Sequence, residues 1–351
     1  MELGSEYPLG KLNKPCRESI FEYLKDFNSI YVDSGRSAMR LLDMYLPQGP
    51  ILLPAYICKT VLGCFLNRQV LFYSMTDQLE IDWHDLFRKM NSQVKIVYLY
   101  YFNGILPESV DLDKFKTIKE KNRIIAVEDT THSIFSAKLT VGDYGLCSLR
   151  KWFPISDGGV LYGNKIPNFD KNVKSVCAPW SGIKYDAMAL KKKYLNGQCN
   201  EIINTIYLRL FRECDCELDR QRDIFRLSEE SKNILEGISV PKLIAKRQKN
   251  IMYLREHFIK RGITFFAQPK ENECPLFCPI KTNERDNLRK FLISKQIYCA
   301  VHWPMEGTPI ELLHESEMII SKKELSLPID QRYDAVELDY LMDSILQYRG
   351  T

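Results

Sequence analysis

The sequence predicts an α/β protein, a mainly parallel sheet flanked by helices with a smaller α+β region after it. Three observations predict this. Short apolar runs alternate with amphipathic stretches of about ten residues through the N-terminal third of the chain, the pattern of strands joined by helical crossovers. From about 182 to 261 the periodicity is almost wholly helical, and the last hundred residues return to mixed structure. Crossovers between parallel strands are right-handed and cover the sheet faces with helices.

Taken in order, Ile20, Phe21, Leu24 and Phe27 form a helical stripe over 17–29. The apolar runs Ile30-Tyr31-Val32, Ile51-Leu52-Leu53, Val70 to Tyr73, Val94 to Phe102 and Arg123 to Val127 read as strands. Helices are predicted near 36–46, 57–67, 82–90 and 111–121. Later, Ile263 to Phe266 and Pro275 to Ile280 read as strands, 284–296 as a helix, Ile297 to Val301 as a strand and 334–348 as a helix. The expected domains are 1–235, with a helical segment at about 182–227, and 236–351.

The 351 residues correspond to two domains at roughly 150 residues each. A hydrophobic share of 45% with 27% charged residues excludes a disordered or fibrous chain. Lys and Arg number 49 against 45 Asp and Glu, a net +4, too small to make nucleic acid or an anionic membrane the main partner. No segment reaches the ~18 apolar residues that span a bilayer. The start, MELGSEYPLGKLNK, shows no basic-then-apolar signal. Eleven scattered cysteines, several within apolar runs (Cys58, Cys64, Cys147, Cys299), point to reduced thiols and a cytoplasmic location. Cys214-Asp-Cys216 and Cys274-x3-Cys278 lack a second pair at zinc spacing, so no metal site is expected.

Open α/β sheets bind ligands beyond the carboxyl ends of their strands. One such loop is Asp33-Ser34-Gly35-Arg36-Ser37-Ala38, where a helix start offers free N–H groups to a phosphate. The alternative is a simple capped helix; Walker and Gly-x-Gly-x-x-Gly spacings are absent. A second is Glu128-Asp129-Thr130-Thr131-His132, two carboxylates and a histidine after the run Ile124 to Val127. A third is Ser148-Leu149-Arg150-Lys151, followed by Asp157-Gly158-Gly159. A lysine beside another cation and aromatic neighbours is a candidate nucleophile, or else half of a surface basic pair.

In that order the three stretches resemble the pyridoxal phosphate (PLP) enzymes of fold type I, most closely the DegT/StrS sugar-nucleotide aminotransferases. Ala245 to Asn250 resembles the family's Arg-rich helix, and Leu325-Ser326-Leu327-Pro328-Ile329 its C-terminal strand. The resemblance spans roughly residues 15–348. It implies a PLP-transferase fold and a homodimer. It also implies transfer of an amino group from an amino acid, glutamate in the family, to a keto sugar, nucleotide-linked in the family and used in polysaccharide biosynthesis. Lys151 would carry the cofactor as a Schiff base. Asp129 would pair with its pyridinium nitrogen, and His132 would lie near its phenolic oxygen. Gly35, Arg36, Ser37 and Ser148 would hold its phosphate, and Tyr56 is a candidate for the ring. Arg226 falls near a stretch that reaches the neighbouring subunit's site.

The chain departs from the family at Cys58, where an aromatic normally stacks on the cofactor, and at Ser156-Asp157-Gly158-Gly159, where the family has Gly-Glu-Gly-Gly. These departures keep open another PLP reaction, or a non-catalytic binding or regulatory member of the fold. His302 and Trp303 are candidate substrate residues, with a packed surface cluster as the alternative. The run Lys191 to Lys193 is expected to be a solvated helix face.

Overall fold

The computed structural model of the chain describes residues 2–169, 171–198, 201–308, 310 and 314–348; residues 199 and 200 of the expected helical stretch lie outside them. A seven-stranded sheet is built from β1 (Asn28–Val32), β2 (Ile51–Pro54), β3 (Val70–Tyr73), β4 (Ile96–Tyr100), β5 (Ile125–Asp129), β6 (Tyr144–Cys147) and β7 (Gly159–Gly163). Their order is β1-β7-β6-β5-β4-β2-β3. β2 pairs in parallel with β3 and β4, and β4 with β5, while β1 runs antiparallel to β7. β4 and β7 are buried along their whole length, which explains why β4 reads as a continuous apolar run without alternation. A second, two-stranded sheet pairs β8 (Cys278–Lys281) antiparallel with β9 (Glu324–Leu327).

Helices Gly35–Asp43, Trp83–Lys89 and Ser109–Asn122 follow the predicted crossovers within a few residues. The helix expected over 17–29 is confined to Ile20–Tyr23, because Asn28 onward pairs with β7 and sheet pairing overrides the helical stripe. The one expected over 57–67 shrinks to Lys59–Leu62 and ends at Gly63. Ile263 to Phe266 and Ile297 to Val301 form no strand: Phe265 bridges Ile280, Ile297 bridges Leu3, and Ala300 bridges Ser326. Strands β6 and β7 escape the sequence reading because glycines at 145, 159 and 163 interrupt their apolar pattern.

The helical stretch consists of Pro179–Leu195 and Glu201–Arg220. It stops short of 227, where Phe225 bridges Lys174 and Arg226 bridges Val32 in extended backbone. Lys191 is a correction to the expected solvated face. It is only 2% exposed, its ammonium lying over the Tyr207 ring at 6.0 Å, because this side of the helix packs on Glu201–Arg220.

Two compact units divide the chain, neither of them sequential. One comprises residues 1–5, 47–145 and 242–351, with β2 to β5, β8 and β9. Its apolar core includes Leu254, Phe258, Leu292, Leu325 and Leu341. The other comprises 6–46 and 146–241, with β1, β7 and the two long helices, which pack through Ala187, Met188, Tyr207 and Phe211. Among the described residues no helix is long and apolar enough to cross a membrane.

Candidate active site

In the second unit, two of the motif stretches, 33–38 and 148–159, converge on the start of helix Gly35–Asp43. Ser34 is its N-cap, accepting a hydrogen bond from Ser37 N at 3.1 Å. Gly35 has ordinary backbone geometry and is required for closeness: a Cβ there would come within 3.0 Å of Ser148 Cβ. Gly159 is tighter still, since its Cβ would meet the Ser34 carbonyl carbon at 2.2 Å. Gly158 adopts φ +147 and donates its N–H to Asp33 O at 2.6 Å. The double glycine thus lets β7 and the 33–37 loop touch backbone to backbone, leaving a helix N-terminus beside the Ser148 side chain. That combination of N–H groups, hydroxyl and dipole favours an anion.

Two buried carboxylates brace these loops. Asp33 accepts from Phe225 N at 3.0 Å and Gln221 Nε2 at 2.8 Å. Asp157 accepts from Ser228 N at 2.9 Å and from the hydroxyls of Ser228 and Ser231. Burial pushes the Asp157 carboxyl above its ordinary range, and those hydrogen bonds pull against it. Lys151 ends the single turn Leu149–Lys151 and is exposed, whereas Arg150 lies over the Trp180 ring at 5.1 Å. The Arg36 guanidinium is taken by Asp219 at 2.6 Å and Leu218 O, so its contribution at the helix start is its backbone N–H. Arg226 lines a separate groove with Phe21, Tyr31, Phe169 and Lys232.

In the first unit, Asp129 ends β5 and is buried, with Tyr98 Oη donating to Oδ2 at 2.7 Å and Thr131 N to Oδ1 at 2.9 Å. Its neighbour Glu128 is caged by Thr140 N and Oγ1, Val141 N and Gly142 N, a structural role that anchors 140–142. His132 is fully buried and accepts from Asn103 N at 3.4 Å. Asn103, in the left-handed region at φ 55, accepts Phe277 N on Oδ1 at 2.8 Å, and its buried Nδ2 has no hydrogen-bond partner among the described residues.

His132, Tyr56, His302 and Trp303 come together in one ring cluster with Tyr100 and Phe102. Trp303 lies 5.1 Å from Tyr56, 5.1 Å from Tyr100 and 5.7 Å from His132. His132 and His302 are 5.2 Å apart. Trp303 holds φ 42, a left-handed backbone that costs a bulky residue about 1–3 kcal/mol. His302 is oriented from behind: Glu324 accepts its backbone N–H at 2.8 Å, Ser326 Oγ is 3.0 Å from Nδ1, and Tyr56 Oη donates to its carbonyl. Cys58 is half-buried, with Sγ 3.1 Å from Thr60 Oγ1.

Sequence reasoning singled out Asp129, His132, His302 and Trp303 as candidates and did not single out Tyr98, Asn103, Glu324 and Ser326, which contact them. Asn103-Gly104 carried a turn signal; the others lie inside strands, where nothing local marks them.

No protein-family model matches the chain, and no curated protein sequence does. Solved structures do match its fold. A candidate sugar aminotransferase of Streptococcus pneumoniae in its apo form is 15% identical, over 97% of this chain and 91% of its own, at a TM-score of 0.65. DesV of S. venezuelae, solved with a ketimine intermediate, is 14% identical over 97% and 90%, at 0.64. A DegT/DnrJ/EryC1/StrS aminotransferase of Brucella abortus is 14% identical over 95% and 88%, at 0.61. The S. pneumoniae protein has also been solved in PLP and PMP forms. The chain therefore has the fold of these aminotransferases along nearly its whole length.

Proposed function

We propose that the chain is a PLP-dependent aminotransferase moving an amino group from an amino-acid donor, glutamate, to a nucleotide-linked keto sugar, and that it works as a homodimer. The observation that carries this reading is the packing of Ser148 against Gly35 at the head of an α-helix, three residues before Lys151. The residues present fit the cofactor. The helix start with Ser37 and Ser148 suits its phosphate, Asp129 suits a protonated ring nitrogen, and Asn103 Nδ2, without a partner among the described residues, suits a ligand oxygen.

PLP supplies an electron sink for charge developing on the carbon next to the transferred nitrogen. Lys151 would supply the amine that holds the cofactor and would carry the proton moved to and from that carbon. Tyr98 and Thr131 hold the Asp129 carboxyl in one orientation, which would let it pair with a protonated ring nitrogen of the cofactor. Asn103 N donates to His132 Nδ1 at 3.4 Å, which helps orient that ring. His302 and Trp303 are assigned to the acceptor sugar, and Arg226, in its separate groove, to the neighbouring subunit's site. Purified protein incubated with PLP should turn yellow, with a chromophore that borohydride reduces and that Lys151→Ala abolishes. Protein that takes up no PLP overturns the reading.

Cys58 supports a second reading, a PLP-fold protein that binds without catalysing, since a thiol tied to Thr60 provides no ring. Under it, PLP binds but no amino donor converts it to the pyridoxamine form.

A further inference from the structure

A cavity of about 280 Å³ opens within the unit that holds Asp129. Its walls are apolar and aromatic, formed by Leu79, Ile81, Trp83, Tyr101, Phe102 and Leu106. Its charged groups are Glu80, Glu108, Asp111 and Lys270. Lys270 Nζ is paired with Glu108 at 2.7 Å and also attracts Glu80, so one cation of the lining faces three carboxylates, Glu80, Glu108 and Asp111. Gln268 completes the wall. Its Nε2 donates to Phe266 O at 2.8 Å, which orients the amide and leaves a buried Oε1 with no hydrogen-bond partner among the described residues. A buried acceptor left unsatisfied is destabilising, so an N–H donor entering here is favoured.

The cavity is preformed. Thr76 Oγ1 accepts from Gln78 N and Glu80 N, and Leu79 takes the left-handed turn at φ 62 that this loop requires. On the other wall, the Glu273 carboxylate accepts from Leu106 N at 3.0 Å and Lys270 N at 2.8 Å, fixing both loops with one side chain.

We propose that this cavity binds a small organic cation with an apolar body, an amine, amidine or guanidine, whose N–H groups are received by Gln268 Oε1 and Glu80. The apolar walls take the body, and the acidic groups select the charge against a neutral or anionic molecule of the same shape. Partial desolvation at the cavity, then the nearby Glu273 carboxylate, pushes the Glu80 carboxyl above its ordinary value, with Lys270 pulling it down. A bound cation opposes that rise, so binding weakens as acid protonates Glu80. The site uses none of the residues assigned to the cofactor.

The test uses benzamidine, with benzamide as its neutral isostere and benzoate as its anion, each titrated calorimetrically into the full chain. A saturable heat with benzamidine is expected, with benzamide at least about tenfold weaker and benzoate silent. Glu80→Gln changes an exposed side chain and should weaken benzamidine about fivefold without lowering the melting temperature. Gln268→Met should weaken it to a similar degree. Lys151→Ala should bind benzamidine as the wild type does, which separates this site from the proposed cofactor chemistry. The proposal is overturned if benzamidine gives no saturable heat, if benzoate binds equally well, if both cavity variants keep full affinity, or if Lys151→Ala abolishes binding.

Discussion

The loop cradle of Ser34, Gly35, Ser148 and Gly159 and the ring cluster of Tyr56, His132, His302 and Trp303 are built from opposite materials. The cradle is backbone and small side chains, and its geometry is set by atoms that are absent, the missing Cβ groups of Gly35 and Gly159. The ring cluster is large side chains drawn from segments as far apart as 56 and 303, held by edge contacts and by hydrogen bonds behind the rings. A cradle of the first kind tolerates almost no added atom. A cluster of the second kind tolerates exchange of one ring for another but not loss of its supports.

The largest effect should come from Lys151→Ala. Loss of the proton-carrying amine is expected to reduce transamination by about 1000-fold or more, measured as amino transfer from glutamate, while the thermal melt of the protein is unchanged. Gly159→Ala comes next. Its Cβ would press on the Ser34 backbone, and urea unfolding should show a loss of about 3 kcal/mol. An alanine tolerated there without loss would mean that the two backbones do not touch.

Acid separates the two units. Glu317, in the same unit as the ring cluster, is fully buried; burial pushes its carboxyl up, but His314, Ser316 and Met75 N together outweigh it and hold it at about 2. A lowered value means stability present above the unfolded carboxyl value and lost as pH falls toward 2. Glu317→Gln should therefore abolish up to about 3 kcal/mol of acid-sensitive stability between roughly pH 5 and 2, read by denaturant melts. Asp157, beside the cradle, has the opposite sign. Its raised carboxyl favours the fold below the ordinary carboxylate range and loses that advantage as pH rises, so Asp157→Asn should flatten a decline toward neutral pH. The smallest change is Tyr98→Phe, which removes one donor from Asp129 and should cost about 1–2 kcal/mol in the same melts.

The same contrast explains what the sequence made legible. Glycine, serine and lysine at fixed short spacings announce a cradle, because the chain can form it only with those residues in nearly adjacent positions. The order of β1 to β5 was readable from apolar runs for a similar reason, since each run is a local property. The rest is non-local. Nothing near Tyr98 signals that its hydroxyl will reach Asp129, and nothing near Glu324 signals His302. Ile20 to Phe27 has a helical stripe, yet the pairing of Asn28 with Gly163 cuts the helix to one turn. Lys191 looked solvated in a run of three lysines until a second helix covered it.

The β1–β7 pair has a consequence in time. Its partners are separated by more than a hundred residues, so a ribosome adding roughly 5–20 residues per second delivers Gly159 on the order of ten seconds after Val32. Until then the first strand has no partner within its own unit, and the nascent chain carries an open edge rich in Ile30, Tyr31 and Val32. Synthesis speed, and whatever shields that edge meanwhile, therefore bears on how much of this protein reaches its folded state.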